Sequence, residues 1–197
     1  MTANRGSCEL LFLALALSLS SARAADEWPQ FRGPTGQGLS DAKGLPLTWS
    51  ETANIVWKTS VPGLGYSSPV ASGNRIWLTA SPDKGKTRHA LCFDLKTGQL
   101  EKDITVFTYD VAEPCHAMNS HATPTPVLEG GRVYVTFGNP GTACLDAETG
   151  KTLWERRDIK TRYLDVGAAS CPVLCGDALV LTCDGQSGAK RFVTALD

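Results

Sequence analysis

The sequence carries almost no net charge, because 19 basic residues are set against 20 acidic ones in a chain of 197. It has no basic run and no patch that mixes aromatic and basic residues, which excludes nucleic-acid binding as a function class. After residue 24 it has no long apolar run, so we expect no membrane span in the mature chain. It also lacks any pair of adjacent cysteines and has only three histidines.

Residues 1–24 have the pattern of a signal peptide. Arg5 supplies a charged start, residues 10–19 form an apolar core too short to cross a membrane, and Ala22-Arg23-Ala24 is a small-x-small cleavage site. We therefore predict cleavage near Ala24 and a periplasmic or secreted mature protein. An uncleaved N-terminal anchor is the alternative.

Two short phrases recur along the rest of the chain. The first is a Leu-Asp or Phe-Asp pair that is followed in two of its three copies by x-x-Thr-Gly, and its aspartates, Asp94, Asp146 and Asp197, lie 52 and 51 residues apart. Self-similarity at this period, with four short strands per unit, is typical of β-propeller blades. The second phrase, Pro-Val, precedes each copy at residues 69–70, 126–127 and 172–173.

Each unit has the local chemistry of a four-stranded antiparallel meander. Gly-containing two-residue turns separate short β-branched runs, and each proline begins a strand, where a missing N–H costs least. The pattern predicts strands over residues 68–72, 75–80, 89–93, 123–129, 132–137, 142–145, 151–157, 169–174, 178–183 and 191–196.

The first phrase also predicts a specific turn, over Asp94–Gly98 and Asp146–Gly150. The aspartate is expected to accept hydrogen bonds from amides of the turn, and the glycine to take the left-handed conformation that leads into the outer strand. Trp154 on that strand is expected to pack against a neighbouring blade. Lys102 stands at the equivalent place in the first unit, which predicts a weaker outer seam there.

These motifs resemble those of the PQQ-like, or quinoprotein-like, β-propeller repeat family in its secreted bacterial form. Blades of that family carry Ala-x-Asp-x-x-Thr-Gly-x-x-x-Trp, and residues 144–154 are similar to it. Mature N-termini in the family are similar to Trp28–Pro34 and are followed by a Trp-Lys strand such as the one at Trp57. The resemblance covers residues 27–197 and implies an all-β propeller of four-stranded blades.

Length limits the number of blades. About three fit into this sequence, whereas closed propellers have about four to eight. We expect the N-terminal part of a larger, eight-bladed propeller; a short protein that oligomerises and a frameshifted gene are the alternatives. The predicted divisions are a signal peptide (1–24), an N-terminal arm with a closing outer strand (25–66, with Trp57 in the strand), and blades over 67–110, 122–160 and an incomplete 167–197.

The glycine-rich stretch 32–38 belongs to this arm. No helix follows it, so its amides lack the helix terminus that makes such loops bind phosphate. We interpret it as an arm lying across the propeller surface.

Six cysteines follow the leader, and their repeat positions predict free thiols rather than disulfides. Cys92 and Cys144 fill the same small-residue core slot in successive units. Cys171 and Cys175 lie along one strand, roughly 13 Å apart, which is too far for a disulfide. Cys115, in a loop, has no assigned role.

Residues 113–121 form the loop richest in chemically active side chains, with two of the three histidines, a cysteine and a carboxylate. Such groups can ligate zinc or copper, but the spacing matches no standard finger, so we predict no metal site. Asn119 and His121 precede an inner strand and are the candidates for contact with the central channel or a ligand. His121 would otherwise cap the strand by hydrogen bonding, and the role of His116 stays open.

The favoured function is a non-enzymatic exported scaffold or binding module for a protein or glycan partner, without catalytic residues or a cofactor. The resemblance also implies an alternative, a dehydrogenase that oxidises alcohols or sugars with pyrroloquinoline quinone (PQQ) and calcium. Such enzymes use two adjacent bonded cysteines and a calcium-binding Glu, Asn and Asp set, neither of which can be carried over. A second alternative resembles the outer-membrane β-barrel assembly lipoprotein, which needs a lipidated cysteine where Ala25 stands.

Overall fold

A computed structural model describes residues 27–161, 163, 166–185 and 188–197. The predicted signal peptide and its cleavage site lie outside these residues. Within them, eleven strands form three antiparallel sheets, and the one helical segment is a single 3-10 turn at Asp83–Gly85. The predicted all-β fold of propeller blades is confirmed.

The strands follow the order of the chain in every sheet, so each sheet is a simple meander. The first sheet contains β1 (Val70–Ser72), β2 (Arg75–Ala80), β3 (Thr87–Asp94) and β4 (Leu100–Thr108). The second contains β5 (Val127–Glu129), β6 (Arg132–Thr136), β7 (Thr142–Asp146) and β8 (Thr152–Arg156). The described residues of the third contain β9 (Val173–Cys175), β10 (Ala178–Asp184) and β11 (Arg191–Leu196).

The outer strand of the first sheet corrects one expectation. β4 is absent from the strands predicted by the repeat, yet with nine residues it is the longest in the described chain. It pairs with β3 at seven positions, whereas β7 and β8 pair at four, so the missing tryptophan does not shorten this outer strand; the weaker packing against a neighbouring blade stays a prediction. The run Ile104–Phe107 explains this, because β-branched and aromatic residues favour strands without help from a tryptophan.

The hydrophobic core lies between the faces of neighbouring sheets. Val133 and Val135 point from β6 toward the first sheet, where they join a cluster with Trp77. Tyr134, between them in sequence, points the other way and packs with Leu181 of the third sheet. This alternation with a period of two is what gives a blade two buried faces.

The Asp–Gly turns bind neighbouring sheets as well as their own strands. The Oδ1 atom of Asp146 accepts hydrogen bonds from the amide and the hydroxyl of Thr149, both at 2.7 Å. Gly98 and Gly150 have φ of 70° and 76°, in the left-handed region. The indole of Trp57 packs directly on Gly98, and its Nε1 donates to the Leu95 carbonyl at 3.0 Å.

The same position on the second sheet is filled from the first. Ile104 of β4 packs on Gly150, which is the place that Trp57 takes on Gly98. Trp154 packs 6.2 Å from Tyr134, measured between ring centroids, within the cluster that joins the second and third sheets. Residues 55–59 form no strand in the described part of the chain, and the closing role of this segment stays a prediction.

Candidate functional site

The residue before each Pro-Val phrase links one sheet to the next. The Thr125 hydroxyl accepts a hydrogen bond from the Ser68 amide at 2.9 Å, and the Thr125 amide donates to the Cys171 sulfur at 3.2 Å. Each blade thus offers a side-chain acceptor to the backbone of the blade before it. This linkage holds the inner strands side by side, and it requires a hydroxyl or thiol in front of the proline.

The N-terminal arm runs along the outer edges of the inner strands β1 and β5, which pair with no other strand of the described chain there. Trp28 and Ala71 of β1 exchange two backbone hydrogen bonds, each 2.9 Å long. The next residue, Pro29, accepts a hydrogen bond from the Leu128 amide of β5 at 2.8 Å. The arm then turns, with the Gly33 amide bonded to the Gln30 carbonyl, before it reaches the third sheet.

The turn of the arm leaves a cavity of about 700 Å³ between the arm and the inner edges of the second and third sheets. We call it the inner groove. Phe31, Tyr66 and Val173 line it and are 48%, 50% and 51% exposed. Thr125 and Cys171, the linking residues, lie in its wall. No charged side chain occurs among the described residues that line it.

The predicted candidates Asn119 and His121 line a different cavity, of about 420 Å³, between the loops 81–86 and 115–121. Both are already bonded within the protein. His121 Nε2 donates to the Glu113 carbonyl at 2.7 Å, and Asn119 Nδ2 donates to the Val166 carbonyl at 2.5 Å. These contacts hold the loops together, and a ligand role for either residue stays a prediction.

The other active groups of this loop do not come together. The Cys115 thiol donates a long hydrogen bond to the His116 carbonyl, at 3.8 Å, and His116 Nδ1 accepts a hydrogen bond from the Met118 amide at 3.2 Å. Burial raises the pKa of the Cys115 thiol, which keeps it protonated and weakens it as a nucleophile or metal ligand. Among the described residues, no three His, Cys, Asp or Glu side chains converge as metal ligands would.

A buried arginine beside this second cavity was not found from the sequence. Arg88 is 1% exposed and donates through Nη1 to the Ser81 hydroxyl at 3.2 Å and to the carbonyls of Gly85 and Thr87. Desolvation lowers its pKa, and Tyr109 lies 6.0 Å from the guanidinium. Arg88 thereby ties the 81–87 loop to β3; its sequence neighbours do not reveal it because only the tertiary packing buries it.

The inner groove was missed for a similar reason. Phe31 and Tyr66 are 35 residues apart (66 − 31) in segments without a repeat pattern, and only the fold places them around one cavity. The signal available in the sequence was the presence of aromatic residues in segments otherwise rich in glycine, proline and serine.

The chain is similar to known proteins in sequence pattern and in fold. The family model of the outer membrane protein assembly factor BamB, a PQQ-like repeat model, matches residues 41–189. No curated protein is significantly similar in sequence. Within the described residues no helix is long and apolar enough to cross a membrane.

Two solved structures are similar in fold. Quinohemoprotein alcohol dehydrogenase from Comamonas testosteroni superposes with a TM-score of 0.59 at 18% identity, over 89% of this chain and 26% of that one. A europium-containing methanol dehydrogenase superposes with a TM-score of 0.52 at 16% identity, over 73% of this chain and 24% of that one. This chain therefore spans about a quarter of the length of either enzyme. With most of its length matched by the family model, the chain belongs to the PQQ-like repeat family of the outer membrane protein assembly factor BamB.

Proposed function

We propose that this protein is an exported, non-enzymatic binding module that holds a partner protein at the inner groove. The observation that carries the proposal is the groove itself. It is an uncharged cavity of about 700 Å³ with three half-exposed hydrophobic side chains, Phe31, Tyr66 and Val173, around it. Exposed apolar side chains gathered at one concave place are typical of interaction sites.

The loop that holds the most active side chains supports binding rather than catalysis. Asn119, His116 and His121 each have at least one polar atom bonded to the backbone, so all three side chains help to fix the conformation of the loop. A protein partner is favoured over a glycan because the family is described by a protein-assembly factor.

The family description favours a second candidate function, which is a more specific form of the binding module. In this second function, the partner is a component of the machinery that assembles outer membrane proteins, or is one of the proteins assembled. Both candidates require export, which the predicted signal peptide would provide. They differ only in the identity of the partner.

Site-specific photo-crosslinking in cells tests the binding module. A benzophenone amino acid replaces Tyr66 in the groove, and a matched variant carries it at Leu153, which is also about half exposed but lies on the outer strand β8. We expect a discrete adduct with one protein from position 66 and none from position 153. Equal adducts from both positions, or none from position 66, would contradict the proposal.

The dehydrogenase alternative has its own test. The purified protein is incubated with PQQ and calcium, and dye-coupled oxidation of alcohols and sugars is measured. We expect no oxidation above the level without protein, because no ligand set for the cofactor can be identified in the chain. Turnover that depends on both PQQ and calcium would replace the binding module by an enzyme.

A further inference from the structure

We infer that the third inner strand, β9, binds an extended peptide segment of the partner through backbone hydrogen bonds at Leu174. The inference rests on the proposed function and specifies the ligand of the same groove. It concerns three equivalent positions on the inner strands, namely Ala71 of β1, Leu128 of β5 and Leu174 of β9.

The hairpins determine where the backbone groups of these residues point. In each hairpin a two-residue turn is closed by a directly bonded pair, which is Cys175 and Ala178 in the third sheet. In an antiparallel ladder the neighbouring pair, here Leu174 and Leu179, is not hydrogen bonded. The N–H and C=O of Leu174 therefore point away from β10, and the residue before it, Val173, lines the inner groove.

The arm demonstrates what such outward groups bind. At Ala71 both groups are bonded to Trp28, and at Leu128 the N–H is bonded to Pro29. Because the arm turns at Gln30, it does not continue to β9. Among the described residues, Leu174 has no backbone partner outside its own hairpin. β9 thus has the same outward N–H and C=O groups as β1, but among the described residues no segment is bonded to them as Trp28 is bonded to Ala71.

The surroundings of β9 specify the kind of segment. An extended chain that adds to a strand edge derives affinity from its backbone and specificity from its alternate side chains. Val173, Phe31 and Tyr66 offer apolar contacts on the groove side, and the lining carries hydroxyls such as that of Ser170 but no charge among its described residues. The ligand is therefore an uncharged, extended segment in which apolar and hydroxyl side chains alternate.

A defined peptide tests this inference on the whole protein. The probe is an eight-residue peptide of alternating threonine and valine with blocked ends, and its control carries N-methyl groups on the amides of one edge. Cys171 lies in the groove wall and serves as reporter, in a variant with Cys115→Ser and Cys175→Ser. We expect the peptide, at roughly ten times its dissociation constant, to slow alkylation of Cys171 about tenfold, and the N-methylated control to have no effect.

Two substitutions separate backbone pairing from simple packing. Leu174→Pro removes the outward N–H, a loss that a strand edge tolerates, and shortens the leucine side chain; Leu174→Ala keeps the N–H and shortens the side chain further. Protection of Cys171 should be lost in Leu174→Pro and retained in Leu174→Ala. Equal protection by the N-methylated peptide, or retention in Leu174→Pro, would overturn the inference.

Photo-crosslinking at position 66, repeated in Leu174→Pro, distinguishes failure of the strand-addition inference from failure of the proposed function. If Leu174→Pro leaves the cellular adduct intact, the binding module stands and strand addition at β9 is wrong. If no adduct forms in any variant, the proposed function itself is wrong.

Discussion

At the scale of single residues, several histidine, arginine and aspartate side chains, which could act in catalysis, instead fix loops and sheets to one another. His121 packs on Gly85 and holds the Glu113 carbonyl, while the buried Arg88 holds the 81–87 loop. In the Asp–Gly turns, the aspartate carboxylates likewise accept hydrogen bonds from amides of the same turn. The described lining of the inner groove, by contrast, is uncharged and offers exposed apolar and hydroxyl side chains, which is the reason for placing function there.

Gly98→Ala should destabilise the protein more than Gly73→Ala. Both glycines have positive φ, of 70° and 60°, so the backbone strain of a new side chain is similar. Only at Gly98 does the added methyl group collide, with the Trp57 indole, whereas the space beside Gly73 is open. We expect the free energy of unfolding, from urea titration, to fall by about 1 to 3 kcal/mol more for Gly98→Ala.

Equal losses at the two positions would mean that the Trp57 ring moves aside without cost. A Trp57→Ala, Gly98→Ala double variant checks the origin of the difference. Because the indole is then absent, the extra cost of the alanine at position 98 should disappear.

Thr149→Val should change how stability depends on pH. The hydroxyl and amide of Thr149 lower the pKa of Asp146 below its ordinary value. A carboxylate with a lowered pKa in the folded state contributes stability that is complete above the unfolded pKa, about 3.9, and is lost as the pH falls through the folded pKa.

In Thr149→Val the pKa of Asp146, followed by carboxyl NMR titration, should rise toward its ordinary value, and the loss of stability in acid should become shallower. Thr52→Val is the control, since Thr52 is exposed and bonds only to Ser50. An unchanged Asp146 titration in Thr149→Val would show that the amide alone sets this pKa.

At the scale of elements, the repeat predicts the strands that carry it and fails for those that do not. β2, β6, β10 and β11 lie where glycine turns and alternating residues place them. β4 was not predicted because its copy of the repeat has Lys102 in place of tryptophan. Its strand is stabilised by Ile104 and its neighbours, and Ile104 packs on the Asp–Gly turn of the second sheet. The path of the arm is also invisible in sequence, since its partners, Ala71 and Leu128, are reached only in three dimensions.

The inner strands begin later than predicted, at residues 70, 127 and 173 rather than 68, 123 and 169. Among the intervening residues, the amides of Ser68 and Thr125 donate to a side chain of the next blade instead of to a strand ladder. The alternation of hydrophobic residues does not predict such bonds. The recurrence of Ser, Thr or Cys before each proline is the feature of the sequence that corresponds to them.

Thr125→Val should therefore loosen the joint between the first two sheets. The change keeps the side-chain shape but leaves the Ser68 amide without its acceptor. An unsatisfied donor costs about 1 to 3 kcal/mol, so we expect a loss of this size in urea titration and faster amide exchange at Ser68.

Thr125→Ser keeps the hydroxyl and is the matched control. It should retain slow exchange at Ser68 despite the loss of a buried methyl group. If both variants exchange equally fast, the hydrogen bond between the blades does not protect this amide.

At the scale of the whole molecule, three sheets share two cores, and the surfaces on either side of them stay open within the described residues. β11 pairs with β10 on one edge only, and its Val193 is 67% exposed. On the first sheet, the 45–66 segment carries large exposed side chains such as Val56, at 88%. Unpaired strand edges and apolar patches of this kind drive association.

We therefore expect the chain alone to self-associate, with an apparent mass in sedimentation equilibrium that rises with concentration. Val193→Lys on the β11 edge should shift the distribution toward the monomer, because a charge on an edge strand opposes strand pairing between molecules. Val111→Lys is the control, since Val111 is 80% exposed but lies in the loop after β4, away from any edge. A monomer at all concentrations would mean that another segment protects the β11 edge, and an equal effect of both lysines would trace association to general hydrophobicity rather than to the edge.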